Sequence, residues 1–353
     1  MAAKGHGALL MKALVLKGYR NLVYEDVPTP EAGVDDVLIK VEACGICGSD
    51  VHGYDGSTGR RIPPIIMGHE AAGVVVEIGS DVTLFIVGDR VTFDSTLYCG
   101  TCSYCRQGRI NLCDTRRVLG VSCGDYRQHG AFAEYIAVPE RIAYRLPDGM
   151  TFEQAALVEA VSIAVHAVAR TRVALNDTAV VIGSGMIGLL VIQAALAAGC
   201  GRIVAVDVDE DKLTLAKNFG ATDIACACKA DPVNVVLSMM EGRGADIVFE
   251  VVGIEETVAA ALACVRKGGQ VTLVGNISPN VAFPLQATVT REITVYGSCA
   301  SSGEYPACLD LIARDIVRVD ALISAVAPLS EGAAWFERLY ARERGLMKVI
   351  LKP

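Results

Sequence analysis

The strongest constraint on the fold is the run Gly183-Ser184-Gly185-Met186-Ile187-Gly188, which directly follows the apolar residues Val180-Val181-Ile182 and opens the helix-length apolar segment Leu189 to Ala198. A G-x-G-x-x-G pattern by itself is weak, because Gly-rich turns are common. Here the strand before it, the helix after it and Asp207, which ends the next strand Val204-Ala205-Val206, supply the context of a dinucleotide-binding fingerprint. The glycines let a pyrophosphate approach the backbone and the helix N-terminus, while Asp207 can accept hydrogen bonds from the adenosine ribose hydroxyls. An acidic residue there repels a 2′-phosphate, so NAD is expected rather than NADP. The expected cofactor-binding set is Gly183, Gly185, Met186, Ile187, Gly188 and Asp207, with Val274 at the end of the run Val271 to Val274. Lys212, five residues past Asp207, reads equally as a ribose contact or as a solvated surface lysine. The alternative for the whole motif is a plain βα turn.

The surroundings favour an α/β protein. Val/Ile runs at Ala179 to Ile182, Ile203 to Val206, Ile247 to Val251, Val271 to Val274 and Ile293 to Tyr296 alternate with helix-length segments, which indicates a parallel sheet with crossover helices. From Met11 to about Pro147 the pattern is instead short strands and turns, such as Leu38 to Val41 and Gly73 to Ile78. The last fifty residues mix a helix near Tyr305 to Ala313, another around Glu331 to Glu343 and a closing strand at Lys348 to Leu351. A length of 353 residues suits two domains at roughly 150 residues each. A net charge of −8 and the lack of a Lys/Arg run exclude nucleic acid as a partner. Residues 178 to 201 carry no charge and are long enough to span a bilayer, but their glycines divide them into a strand, a turn and a helix, so no membrane span is expected. No apolar core with a cleavage site follows Lys4 and His6, so a cytoplasmic location is expected; Met11-Lys12-Ala13-Leu14-Val15 reads as a natural start, with residues 1 to 10 a leader or vector remnant.

In such a compartment the 13 cysteines should be reduced, with metal binding favoured wherever they cluster. Cys99, Cys102, Cys105 and Cys113 lie within one short segment, at gaps that permit a closed, structural four-sulfur zinc site rather than four free thiols. Cys123, Cys200, Cys226, Cys228, Cys264, Cys299 and Cys308 read as ordinary buried thiols. A dispersed set comprises Cys47 within Gly45 to His52, then Gly68-His69-Glu70, then Glu159. Cys, His and Glu are each acceptable zinc ligands, and three of them leave a position for substrate. Taken singly, however, Cys47 reads as a buried thiol, His69 as a satisfied core histidine and Glu159 as a helix-surface carboxylate.

The combination resembles the zinc-containing medium-chain dehydrogenase family over nearly the whole chain from Met11. The matching pieces are Gly45 to His52, Gly68-His69-Glu70, the four-cysteine lobe, Gly130-Ala131-Phe132-Ala133-Glu134-Tyr135, the fingerprint with Asp207, and Met347 to Leu351. Glu159 stands where ordinary alcohol dehydrogenases place a second cysteine ligand, so the chain looks closest to the polyol branch: sorbitol, galactitol-phosphate and butanediol dehydrogenases. Ser162 matches that branch rather than the Gly-Asn of threonine dehydrogenases, while Ala160 replaces the proline usual after the glutamate.

The resemblance implies a GroES-like, mostly-β catalytic domain of residues 1–160, to which 300–353 return, and a Rossmann doubly wound parallel-sheet domain of 161–299. It implies that Cys47 and His69 bind a catalytic zinc with Glu159, directly or through water, and that Glu70 is a nearby or alternating ligand. Two zinc ions per chain follow, one catalytic and one structural. It further implies that Ser49 passes the substrate proton onward, with His52 at the outer end of the relay. Cys44 is read as packing and His166 as a neighbour of the site or core. The expected reaction is hydride transfer between a secondary alcohol of a small polyol-type substrate, free or phosphorylated, and NAD, giving a ketone or ketose. The rival is threonine or another amino-alcohol. A non-catalytic crystallin-type protein or a zinc-free quinone reductase relative would lack the Cys47, His69, Glu159 set. Arg60-Arg61 is read either as a phosphate-binding pair or as two solvated loop arginines. A homo-oligomer, dimer or tetramer, is expected.

Overall fold

The computed structural model describes residues 9–353, so most of the expected leader, residues 1 to 8, lies outside the described residues. The chain divides into two compact units, one running to Glu159 and including Tyr305–Ala313 and Val319–Pro353, the other comprising Ala160–Glu304 and Arg314–Arg318.

In the first unit, short apolar-rich segments pair into a seven-stranded, mainly antiparallel sheet. Its order is Ala143–Arg145, Arg90–Phe93, Glu70–Ile78, Asp36–Gly45, Lys348–Lys352 and Ile323–Pro328, with Tyr135–Pro139 also pairing with Asp36–Gly45. The closing strand therefore sits beside a strand from the first fifty residues. Its register puts Ile350 opposite Gly45, and Gly45 is in turn opposite Glu70. A Cβ on Gly45 would run into the Glu70 carboxylate, so glycine leaves space for a charged group inside the sheet. The helix Gly332–Tyr340 packs Phe336 against Tyr54 and, edge-on, Phe132, with ring centroids 5.5 and 5.8 Å away.

The second unit is a six-stranded parallel sheet in the order Asp223–Cys226, Arg202–Asp207, Thr178–Ile182, Ala245–Glu250, Val265–Leu273, Thr294–Gly297. Numbered along the chain this is 3-2-1-4-5-6, the doubly wound order in which ligands bind at the strand carboxyl ends where the order reverses. The uncharged stretch 178 to 201 is a strand, a turn and the 12-residue helix Met186–Ala197. Among the described residues no helix is long and apolar enough to cross a membrane.

Several details differ from the sequence reading. The strands Asp223–Cys226 and Ile323–Pro328 lack a strong alternating pattern and were not anticipated. Val274 follows the strand Val265–Leu273 instead of ending it, its N–H donating to the Glu250 carbonyl at 2.8 Å. The return to the first unit begins at Tyr305, and Arg314–Arg318 stays with the second. Gln193 fixes that segment by accepting from the Arg318 N–H at 2.8 Å and donating to its carbonyl at 3.1 Å. The dispersed cysteines are not all buried: Cys228 and Cys299 are exposed, because they lie on a turn and in irregular chain rather than in strand or helix interiors.

Because Phe336 is fully buried between two aromatic rings, Phe336→Ala should destabilise the first unit by about 3–5 kcal/mol, the usual cost of such a truncation. Denaturant unfolding followed by the fluorescence of Trp335, on the same helix, reads this directly.

Candidate active site

The first cluster grows from the segment after Gly45. Cys47 caps the short helix Gly48–Gly53, its Sγ accepting from the Ser49 N–H at 3.4 Å and from the Ser49 hydroxyl at 3.3 Å. Asp50, on the same helix, is fully buried and accepts from Arg61 Nε at 3.1 Å and Nη2 at 2.8 Å. Its other oxygen lies 3.4 Å from His69 Nδ1, which leaves Nε2 of that ring as the free ligand atom. The ligand atoms of Cys47, His69 and Glu70 all lie within 4.8 Å of one another. Glu70 is ion-paired with Lys348, whose Nζ also donates to the Ile46 carbonyl at 3.1 Å; both side chains are buried.

The charges here favour a cation. Burial opposes ionisation of Asp50, but His69 and Arg61 outweigh it and hold the carboxyl well below its usual range. Burial likewise opposes protonation of His69, yet Asp50 and Cys47 drive its pKa well above the ordinary value. Glu159, in the first turn of the helix Val158–Arg170, is pushed up to about 7, first by burial and further by Glu70, against the opposing pull of His69 and Lys348. A donor set of thiolate, imidazole and carboxylates with surplus negative charge fits zinc.

The expected residues are not all drawn together equally. Glu70 rather than Glu159 completes the tightest group with Cys47 and His69, because sheet register fixes Glu70 whereas Glu159 arrives on a separate helix. The Ser49 hydroxyl is engaged by Cys47 and, at 3.3 Å, by Arg61 Nη2. His52 has an exposed side chain with no hydrogen bond among the described residues. Neither reading of Arg60-Arg61 fits the pair as a whole: Arg60 is exposed, while Arg61 is buried on Asp50. Cys44 packs in the core, and His166 Nδ1 lies 2.6 Å from Glu304 Oε1. Sequence reasoning missed Asp50, Lys348 and the pairing of Arg61 with Asp50; the one available signal was Lys348, a cation at the head of the apolar run Val349 to Leu351, which seldom occurs without a partner when buried.

The second cluster is self-contained. The sulfurs of Cys99, Cys102, Cys105 and Cys113 lie within 4.8 Å of one another. Backbone N–H groups point at them: Cys102 and Thr101 donate to Cys99 Sγ at 3.3 and 3.4 Å, Cys99 to Cys113 Sγ at 3.3 Å and Cys105 to Cys102 Sγ at 3.5 Å. The Thr101 hydroxyl and N–H hold the Cys99 thiol down at about 5, while burial pushes Cys105 up to about 12. N–H donors converging on sulfur suit thiolates, and such a set fits a closed zinc site.

In the second unit the Gly-rich turn is shaped by steric necessity. Gly183 has φ 97°, and a Cβ on Gly188 would overlap the Gly183 carbonyl, so helix and strand pack only with glycine. A Cβ on Gly185 would meet nothing within 4 Å, leaving open space for a ligand against the backbone. Ser184 donates its N–H to Asp207 Oδ2 at 2.7 Å, and Asp209 donates to Oδ1 at 3.0 Å. The Ser184 hydroxyl is buried with no partner among the described residues. Lys212 is half-buried, its N–H directed to Asp209 Oδ1 at 3.4 Å. Met186 and Ile187 open the helix on which a pyrophosphate would rest. These residues fit a dinucleotide.

Comparison with known proteins agrees with this geometry. The profile described as "Alcohol dehydrogenase GroES-like domain" matches residues 33–148, and that described as "Zinc-binding dehydrogenase" matches 187–314. The chain is 35% identical to sorbitol dehydrogenase of Bacillus subtilis (strain 168), covering 97% of each protein, and 36% identical to D-arabitol-phosphate dehydrogenase of Enterococcus avium, covering 91% of this chain and 92% of that one. A zinc-binding dehydrogenase of Sinorhizobium meliloti 1021, solved bound to NADP, superposes with a TM-score of 0.90 at 32% identity, covering 98% of this chain and 100% of that one. With both profiles matched and a relative aligned along almost the entire chain, the protein belongs to the zinc-containing medium-chain dehydrogenase family, in its polyol branch.

Proposed function

We propose that this enzyme oxidises a secondary alcohol of a small polyol or sugar alcohol with NAD, giving a ketone or ketose, and holds two zinc ions per chain. The observation that carries the reading is the cluster of half-buried Cys47 with buried His69 and Glu70, and the Glu159 carboxylate close enough to feel its charges. Relatives named for sorbitol and arabitol phosphate support the substrate class.

Cys47 and His69 would hold the catalytic zinc, with Glu159 and Glu70 as the carboxylates that complete or exchange at the site. Zinc supplies Lewis acidity that makes an alcohol more acidic. The nucleotide held at the Gly183 to Gly188 turn would supply the hydride acceptor. The protein's own residues do the rest. Asp50 orients His69 and holds it from behind. Lys348 pairs with one carboxylate oxygen of Glu70, Oε2, and so competes with a metal for that carboxylate. Ser49 accepts the substrate proton; Arg61 donates to its hydroxyl and has no proton-accepting atom, so the proton leaves toward His52 or water. Arg60 is the arginine left exposed to meet a phosphorylated substrate. In the nucleotide unit Asp207 favours NAD over NADP, although a structural relative binds NADP. A cytoplasmic homo-oligomer, dimer or tetramer, belongs to the same proposal, and light scattering measures its size.

Elemental analysis should find at least two zinc per chain, one labile to chelators at the open site and one retained by four thiolates. One zinc or fewer after reconstitution removes the two-site reading. Catalytic efficiency should favour NAD over NADP at least about tenfold, the scale of one lost contact of roughly 1.4 kcal/mol, and Asp207→Asn should narrow the gap. In a screen of sugar alcohols, diols, polyol phosphates and amino-alcohols, Ser49→Ala should lower turnover by about 10² to 10⁴ and Glu159→Ala should cripple it, both with unchanged melting. Cys102→Ser should instead lower Tm first, because structural zinc binding is folding energy. A stable but inactive Cys102→Ser would reverse the two roles.

A further inference from the structure

The nucleotide-binding unit contains another group of metal-ligating side chains, which the dehydrogenase reading does not use. The strand Asp223–Cys226 ends with Cys226 in parallel register with Asp207. A turn follows, in which the Lys229 N–H donates to the Cys226 carbonyl at 3.0 Å, and this brings Cys228 back toward Cys226. From the neighbouring chain segment Glu210 opens the helix Glu210–Asn218. One carboxylate oxygen of Glu210 and the sulfurs of Cys226 and Cys228 all lie within 4.8 Å of one another. Cys226 is half-buried, with its Sγ 3.9 Å from the Val208 carbonyl, and Cys228 is exposed, so a cation can reach both.

We propose that Glu210, Cys226 and Cys228 form a third metal site, taking a thiophilic divalent cation such as zinc with water at the fourth position. Two sulfurs and one carboxylate oxygen are a set that borderline-soft ions favour over magnesium or calcium. Tetrahedral sulfur ligands at about 2.3 Å from zinc lie about 3.8 Å apart, a spacing inside the 4.8 Å that bounds this group. Binding replaces two S–H bonds by two metal–sulfur bonds and releases two protons to solvent; nothing is oxidised or reduced. Lys229 opposes it. Its Nζ lies 2.7 Å from Glu210 Oε2, occupying the carboxylate and adding positive charge, but both side chains are largely exposed, so the pair is displaced at small cost.

The test is a Cd²⁺ titration of the purified full-length protein, followed by thiolate-to-metal absorbance, beside Cys226→Ser/Cys228→Ser under identical conditions. The difference between the two proteins cancels whatever the other cysteines bind. The wild type should take up one more equivalent than the double variant. Glu210→Gln should weaken that extra equivalent, and Lys229→Ala should tighten it roughly two- to fivefold, the scale of a lost exposed ion pair. Equal uptake by wild type and double variant overturns the proposal, as does Lys229→Ala binding less tightly. Thermal melting of the double variant confirms that the comparison is between folded proteins.

Discussion

The feature on which the first unit depends is the burial of opposed charges next to a metal-ligand set. Asp50, Arg61, Glu70 and Lys348 are each almost completely shielded from water. Removing such groups from solvent costs several kcal/mol per ion, and removing one partner leaves the other stranded. They persist because each is held in a pair: Asp50 between Arg61 and His69, Glu70 against Lys348. Lys348 comes from the last strand and Glu70 from near the start, so the ion pair ties the returning segment into the sheet at the cluster itself.

The two metal-ligand clusters of that unit are assembled by opposite means. The four-cysteine lobe draws all its sulfurs from one short stretch, and local turns aim backbone N–H groups at them. A site of this kind supplies order where no apolar core exists. The other cluster gathers Cys47, His69 and Glu70 through the pairing of Asp36–Gly45 with Glu70–Ile78, on which Gly45 stands opposite Glu70. Glycine at that position admits the carboxylate that any larger residue would expel.

In the second unit the constraint is steric. Close approach of the helix Met186–Ala197 to the preceding strand leaves no room for a side chain at Gly188, and Gly183 adopts a φ that other residues avoid. Asp207 closes the turn by accepting the Ser184 N–H, which ties the carboxylate at the end of one strand to the loop that follows its neighbour. The parallel register of those two strands brings both to the same end of the sheet.

What the amino-acid sequence determined by itself was whatever depends on near neighbours in the chain. The Gly183 to Gly188 turn, the Val/Ile strands with their crossover helices and the four clustered cysteines follow from spacing, because a turn or a short loop brings such residues together without help. The expectation that Cys47, His69 and Glu159 share one site came from resemblance, since no spacing rule unites residues so far apart. Only the tertiary structure decided that Glu70 joins Cys47 and His69 most closely, that Arg61 serves Asp50 instead of solvent and that Lys348 neutralises Glu70. It also decided that Cys226 and Cys228 meet Glu210 rather than lie among apolar neighbours. Those outcomes rest on which strands pair and in what register, and a one-residue slip would turn Glu70 or Lys348 to the other face. A contact set by sheet register belongs to two distant segments at once, so neither segment's sequence contains it.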